Sequence, residues 1–466
     1  MTFDTAVQRI ETTLSTNTLS AAYLPAMIAA LLLATALSTN NARIESAMRD
    51  SGINALAVAV VQHDKVIYQH SFNATPDTRF YLASSSKSMT ALAARLLAQE
   101  KKLDLDAPLT TTLPQLKLPP PLDPARMSVR DLLTHRLGFE NDPVVWRASY
   151  SGVWTDEQMF ALLAKYTTVT PRQFSYDNLG YMLASYAVER ASGASFWSTL
   201  NAHIFTPAGM THTNEQPCVA TKSARTMNRG SGGLCTTLDD MTRWLRVNMS
   251  DGMLDGKRVF PLAVMREVHA PQISLSRKFG RLDRYAYGLG WYLADYEGDV
   301  VVHHFGSYPN AWAHISWMPD HDIGVVVLAD ETRPLPDAVA MLMYDTLLGR
   351  ADAVARFDKD ISALRDVLAK LPERREAFAK KIRDEAADSD RTLASYVGTY
   401  EDEGYGTFVV SNDGDGLRAT IGDRTSMLTR VRGDAFSVQW YVSDGPDRVT
   451  FAPDSLTFDG RTFTRR

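Results

Sequence analysis

The strongest constraint on this 466-residue chain is where its β-patterned runs fall. Residues 55–62 and 66–71 are β-rich and flank His63-Asp64-Lys65, a short polar turn, so they read as a hairpin. Three more strand-like runs come together much later, at residues 299–304, 311–318 and 323–328. The last two are joined by Pro319-Asp320-His321-Asp322, a good hairpin turn. Helical periodicity occupies the space between, at residues 85–102, 129–134, 156–165, 179–191 and 237–248. A hairpin at one end and strands at the other predict one antiparallel sheet closed by both. Helices cover it, which is an α+β architecture.

Residues 113–124 are a proline-rich loop and 230–233 a flexible turn. Residues 351–390 are charge-rich, free of glycine and helical in pattern, which predicts a linker helix or helix pair. From Leu393 onward the runs 407–411, 417–421, 435–442, 449–451 and 456–458 alternate with Gly and Asp, as in a small β-barrel or sandwich. The expected organisation is an N-terminal segment over 1–40, a sheet-and-helix domain over 41–350, a helical linker over 351–392 and a β-domain over 393–466.

The segment from Ala21 to Leu37 is uncharged and mostly apolar, with Ala34-Thr35-Ala36 as a cleavage-like pattern. Asp4, Arg9 and Glu11 stand where an export signal carries basic residues. The alternatives are a signal or membrane anchor and an apolar helix packed on the domain, so localisation is open between cytoplasm and export. The net charge of −5 comes without a basic stripe, which argues against a nucleic-acid partner. The two cysteines, Cys218 and Cys235, lack metal-site spacing. They are expected as two buried thiols, with a single bridge as the alternative.

Chemistry concentrates in three places. Ser84-Ser85-Ser86-Lys87 opens the first long helix and is the chain's single S-x-x-K. A serine there sits where unpaired N–H groups favour developing negative charge, and a lysine three residues on returns to the same face. Desolvated, that lysine becomes a base. At Tyr176-Asp177-Asn178 a phenol near the lysine is expected to ionise below its usual pKa of about 10 and exchange protons with the serine, with Asn178 orienting Lys87 and a substrate carbonyl. Tyr308-Pro309-Asn310 repeats the Y-x-N spacing, but its proline marks a turn. His304-Phe305-Gly306 is the one H-x-G, near the end of a strand-like run. Gly306 is expected to let substrate approach the strand edge, and the N–H groups of Ser84 and Ser307 to form an oxyanion hole.

Taken in order, these motifs resemble the serine β-lactamase-related family: class C β-lactamases, DD-peptidases, family VIII esterases and D-aminopeptidases. The resemblance covers residues 53–348. It extends to residues 102–116 (KLDLDAPLTTTLPQL), 127–138 (MSVRDLLTHRLG), 204–211 (IFTPAGMT), 232–245 (GGLCTTLDDMTRWL) and 287–291 (YGLGW). It implies Ser84 as acyl-accepting nucleophile, Lys87 and Tyr176 as the proton-transfer pair, Asn178 as an orienting group and His304 in the third-motif role. It also implies an antiparallel sheet with an all-helical lobe across a cleft. The segment beginning Tyr396-Val397-Gly398-Thr399-Tyr400 resembles the lipocalin-like β-domain appended to some relatives.

Two departures matter. β-Lactamases and DD-peptidases usually carry lysine where His304 stands; histidine is neutral for much of the time near pH 7, which argues against β-lactam hydrolysis as the main task. Asn310-Ala311-Trp312 replaces a Gly-Phe pair and is expected to narrow the acyl pocket. The implied activity is hydrolysis of a small-molecule or short-peptide ester or amide through an acyl-enzyme, with no cofactor and no metal. The alternatives are a D-amino-acid peptidase or transpeptidase, a penicillin-binding sensor that acylates without turnover, and an idle scaffold. Membrane contact depends on the N-terminal segment, and homo-oligomer formation is open.

Overall fold

The computed structural model describes residues 33–150, 155–215, 218, 228–422, 424–441 and 445–466. After α1 (Asn41–Ser51) come β1 (Leu56–Gln62), β2 (Lys65–Phe72) and β3 (Phe80–Tyr81); a 3-10 turn, Ala83–Ser86, then opens into α2 (Lys87–Gln99). The following lobe includes α3 (Asp142–Tyr150) and α4 (Asn178–Ser192) among shorter helices. Next are β4 (Cys235–Thr236) and α5 (Leu238–Met249), then β5 (Ile273–Phe279), β6 (Leu282–Tyr287) and β7 (Tyr292–Tyr296). β8 (Asp299–Tyr308), β9 (Ala311–Met318) and β10 (Ile323–Ala329) precede α6 (Leu335–Leu347), α7 (Ala353–Ala369) and α8 (Leu371–Glu385).

The main sheet is eight-stranded in the order β2-β1-β10-β9-β8-β7-β6-β5. β1 pairs antiparallel with β10, Leu56 opposite Ala329 and Gln62 opposite Ile323, so the two ends of the domain meet at its centre as expected. Period two divides β1 between the faces. Ala57, Ala59 and Val61 join Leu92, Leu183 and Trp244 under the helical lobe. Leu56, Val58 and Val60 pack on the far face with Val339, Leu342 and Phe357.

β5, β6 and β7 were not anticipated. β5 lies at the sheet edge and alternates half-buried with exposed polar residues, and the Gly288 and Gly290 that follow β6 interrupt the pattern. β8 also runs four residues beyond the expected end, placing His304 inside the strand rather than near its terminus. The charge-rich stretch after α6 is packed, not free: α7 lays Phe357 and Ile361 into the far-face core, and α8 buries Ile382.

The C-terminal segment closes into a barrel of β11 (Gly398–Asp402), β12 (Gly406–Asp413), β13 (Gly416–Ile421), β14 (Arg424–Arg432), β15 (Ala435–Val438), β16 (Asp447–Ala452), β17 (Ser455–Phe458) and β18 (Arg461–Arg465). Phe408, Phe436, Phe451, Phe458 and Phe463 fill it, as a small eight-stranded barrel requires. Most of the 21–37 segment lies outside the described residues. Among the described residues no helix is long and apolar enough to cross a membrane.

Candidate active site

Ser84 stands in the 3-10 turn just after Ala83, whose φ of 44° is uncommon for a residue with a side chain. Holding such a conformation costs about 1–3 kcal/mol and is seen where a side chain must be aimed. The surroundings enforce it. Leu82 N donates to Leu234 O at 2.9 Å, and Gly306 of β8 presses against the turn. A Cβ at position 306 would sit inside contact distance of the Leu82 carbonyl and 3.0 Å from Ser84 N. Gly306 therefore serves backbone-on-backbone packing, which corrects the expectation that it opens the strand edge to substrate. Gly290 does the same on the other side of the turn, where a Cβ would lie 2.6 Å from Ser88 Cα.

Lys87, the first residue of α2, is fully buried. Its Nζ donates to Ser84 Oγ at 3.0 Å, Asn178 Oδ1 at 2.7 Å and Ser231 O at 2.9 Å. Burial lowers its pKa to about 7, opposed by the nearby Asp177 carboxylate. Asp177 caps α4 by accepting from Leu179 N at 2.7 Å, and burial raises its own pKa to about 6. The cap is thus Asp177 rather than Asn178, which leaves the Asn178 amide oxygen for Lys87.

Tyr176 lies beside the amine, with Lys87 Nζ 4.9 Å from its ring centre. Its hydroxyl is buried next to the Ser84 hydroxyl, outside good hydrogen-bond geometry. Burial pushes the phenol well above 10, although the Ser84 hydroxyl favours its ionised form. The direction is opposite to the expected ionisation below 10: desolvation outweighs the Ser84 hydroxyl and the Arg284 charge, which favours a neutral phenol.

His304 is fully buried on the same face as Gly306. Its Nδ1 is 2.7 Å from Phe305 O, which only accepts, so Nδ1 carries the proton and Nε2 accepts from Tyr287 Oη at 3.2 Å. Burial and the Lys87 charge hold its pKa well below 6.5, so His304 is neutral at pH 7. His303 points to the opposite face, where Arg284 Nε donates to its Nε2 at 3.1 Å. Ser84, Asn178, Ser231 and Ser307 line one cleft of about 250 Å³, walled by Tyr81, Tyr150 and Tyr308. Trp312 does not narrow it: the indole turns to the far face, where Nε1 donates to Asp337 Oδ2 at 3.1 Å.

Two residues carry no sequence signal of their role. Ser231 lies in the 230–233 turn, where its carbonyl accepts from Lys87, and His135 lies within the 127–138 stretch. His135 is fully buried at 4.4 Å from the Tyr176 ring and accepts Asp177 N on Nδ1 at 3.1 Å, so it props up the tyrosine loop. Its φ of 55°, unusual outside glycine, is visible only in three dimensions. The two cysteines are bonded to each other rather than free, Cα atoms 5.6 Å apart, with Cys235 opposite Tyr81 in the β3–β4 pair. Burial of both, the basis for expecting thiols, holds equally for a bridge.

Comparison with known proteins places the chain in a family. The beta-lactamase family profile matches residues 40–350, and a domain of unknown function, DUF3471, matches residues 383–461. The chain belongs to the beta-lactamase family. It is 23% identical over 429 residues to the unguisins hydrolase ungD' of Aspergillus campestris, covering 83% of this chain and 75% of that protein. It is 22% identical over 317 residues to protein flp of Staphylococcus aureus, covering 62% of this chain and 61% of that protein. Among solved structures, the octameric penicillin-binding protein homologue from Pyrococcus abyssi aligns with a TM-score of 0.57 at 20% identity, over 92% of this chain and 99% of its own. The D-amino acid amidase of Ochrobactrum anthropi SV3 aligns at 0.54 and 20%, over 68% and 98%. These structural likenesses are ones of fold.

Proposed function

We propose that the protein is a serine hydrolase acting through an acyl-enzyme on Ser84, with small esters or amides as substrates. The observation that carries this reading is the set of three partners around Lys87 Nζ. Asn178 Oδ1 and Ser231 O can only accept, so when Lys87 is neutral its lone pair has one partner able to donate, the Ser84 hydroxyl. With a pKa near 7, a large share of the amine is in that form at neutral pH.

Ser84 Oγ attacks the substrate carbonyl, and its proton passes to Lys87 Nζ. The oxyanion meets the N–H groups of Ser84 and Ser307. Collapse breaks the bond to the leaving alkoxide or amine, which takes up the proton from Lys87, with the Tyr176 phenol beside the path. Water then attacks the acyl-enzyme by the reverse route.

The test is turnover of p-nitrophenyl esters and D-alanyl amides by wild type and Ser84→Ala, with a fluorophosphonate label mapped by mass. Loss of both turnover and label in the variant supports the reading; full retention overturns it. The fold likeness to an amidase supports including amides, and an added amine acceptor competing with water separates transferase from hydrolase. Label retained without turnover in the wild type would mark a sensor. The octameric relative makes solution mass the accompanying measurement.

A further inference from the structure

The barrel reaches the cleft through one cation. Arg424, at the start of β14, is nine-tenths buried, with its guanidinium carbon 3.2 Å from the ring centre of Tyr150 at the end of α3. No carboxylate neutralises it among the described residues, and its Nε is buried without a hydrogen-bond partner. Rings surround it instead, Trp146 at 5.6 Å and Tyr441 at 5.5 Å. The barrel's Tyr405 packs on Trp146 at 5.3 Å, so α3 is held between barrel and cleft.

The cleft side of α3 is equally specific. Tyr150 stacks on Tyr308 with centroids 6.2 Å apart and planes 18° from parallel, and Tyr308 packs on Tyr81 at 5.2 Å. Tyr308 Oη donates to Ser149 O at 2.6 Å, tying the end of α3 to the strand that carries Ser307. A row of side chains therefore runs from Arg424 through Tyr150 and Tyr308 to Tyr81, whose own strand leads into Ala83 and Ser84.

We propose that Arg424 is a positioning residue through which the barrel sets the acyl-binding wall, and that this wall selects acyl groups carrying a flat apolar ring. The proposal rests on the Ser84 reading above. A guanidinium over a tyrosine face is a directional attraction that fixes the ring's tilt, and the row Tyr150, Tyr308 and Tyr81 then holds a fixed aromatic lining against the cleft. A ring-bearing acyl group offers that lining more contact area than acetyl does.

The experiment uses the full-length protein with p-nitrophenyl phenylacetate and p-nitrophenyl acetate. In Arg424→Ala, KM for the phenylacetyl ester rises about tenfold while kcat and the acetyl ester stay within about twofold. Arg424→Lys, which keeps a cation over the ring, recovers part of the loss. Tyr150→Leu, which changes no barrel residue but removes the ring under Arg424, also raises KM for the phenylacetyl ester, and the double variant adds little to either alone. Equal effects on both esters, or no effect in Tyr150→Leu, overturn the proposal while Ser84-dependent turnover stands. Turnover retained by Ser84→Ala overturns the site reading and this proposal together.

Discussion

Gly306 and Leu82 meet backbone to backbone, with no room for a single carbon between them. The contact joins the sheet to the turn that aims Ser84, so the strand carrying the third motif also fixes the nucleophile's position. Gly306→Ala must push the strand and the turn apart. We expect a loss of about 2–3 kcal/mol in stability, read by urea denaturation. Ester turnover should fall more steeply than stability explains, because the displaced turn holds Ser84.

The Lys87 amine sets the pH response. Its pKa near 7 means that kcat/KM should fall about tenfold per pH unit below that value, with a plateau above it. Lys87→Met should remove activity by about 10³-fold or more. Stability moves in the same direction, over a higher range of pH. The folded pKa lies below the unfolded value of 10.5, so between about 7 and 10.5 the unfolded chain binds the extra proton and wild-type stability rises with pH. Below pH 7 the full cost of a buried ammonium is present. The melting temperature of Lys87→Met relative to wild type should therefore be highest near pH 6 and fall back as pH rises, which a thermal scan at several pH values checks.

Ser84, Lys87, Tyr176 and Asn178 were legible in sequence because a helix start and a loop carry them in short motifs with their own spacing. The sheet's closure was legible because β1 and β8 to β10 are dense in Val, Ile and Ala. What sequence concealed depends on partners distant along the chain. Tyr176 looks like an easily ionised phenol until the burial by His135, Tyr292 and its other neighbours is known. Gly306 looks like an open edge until Leu82 is placed against it. β11, β14 and β18 of the barrel were missed because a small closed barrel buries one face only, leaving Glu, Arg and Thr to interrupt each run.

The Cys218–Cys235 bridge closes a separation of 17 residues and anchors to the strand that pairs with Tyr81. A loop of that length gives about 3 kcal/mol of stabilisation. A reducing agent should lower the urea midpoint accordingly, and a Cys218→Ser, Cys235→Ser double variant should start lower and lose its response to reductant. Activity should fall less than stability, since neither sulfur lines the cleft.

Ser316, His314 and Asp337 form a second arrangement that a geometric search for nucleophiles would select. Ser316 Oγ is 2.8 Å from His314 Nε2, and His314 Nδ1 is 2.7 Å from Asp337 Oδ1. The spacing is that of an activated serine, but its surroundings are not. Ser316 is fully buried on the far face of the sheet, and its hydroxyl is already engaged by Tyr344 Oη at 2.7 Å. No substrate carbonyl reaches it without displacing α6. We expect Ser316→Ala to keep wild-type turnover and fluorophosphonate labelling within about twofold, and to lose about 1–3 kcal/mol because His314 and Tyr344 are left short of a partner. Loss of labelling in a folded Ser316→Ala, with labelling retained in Ser84→Ala, would move the nucleophile to the opposite face of the sheet.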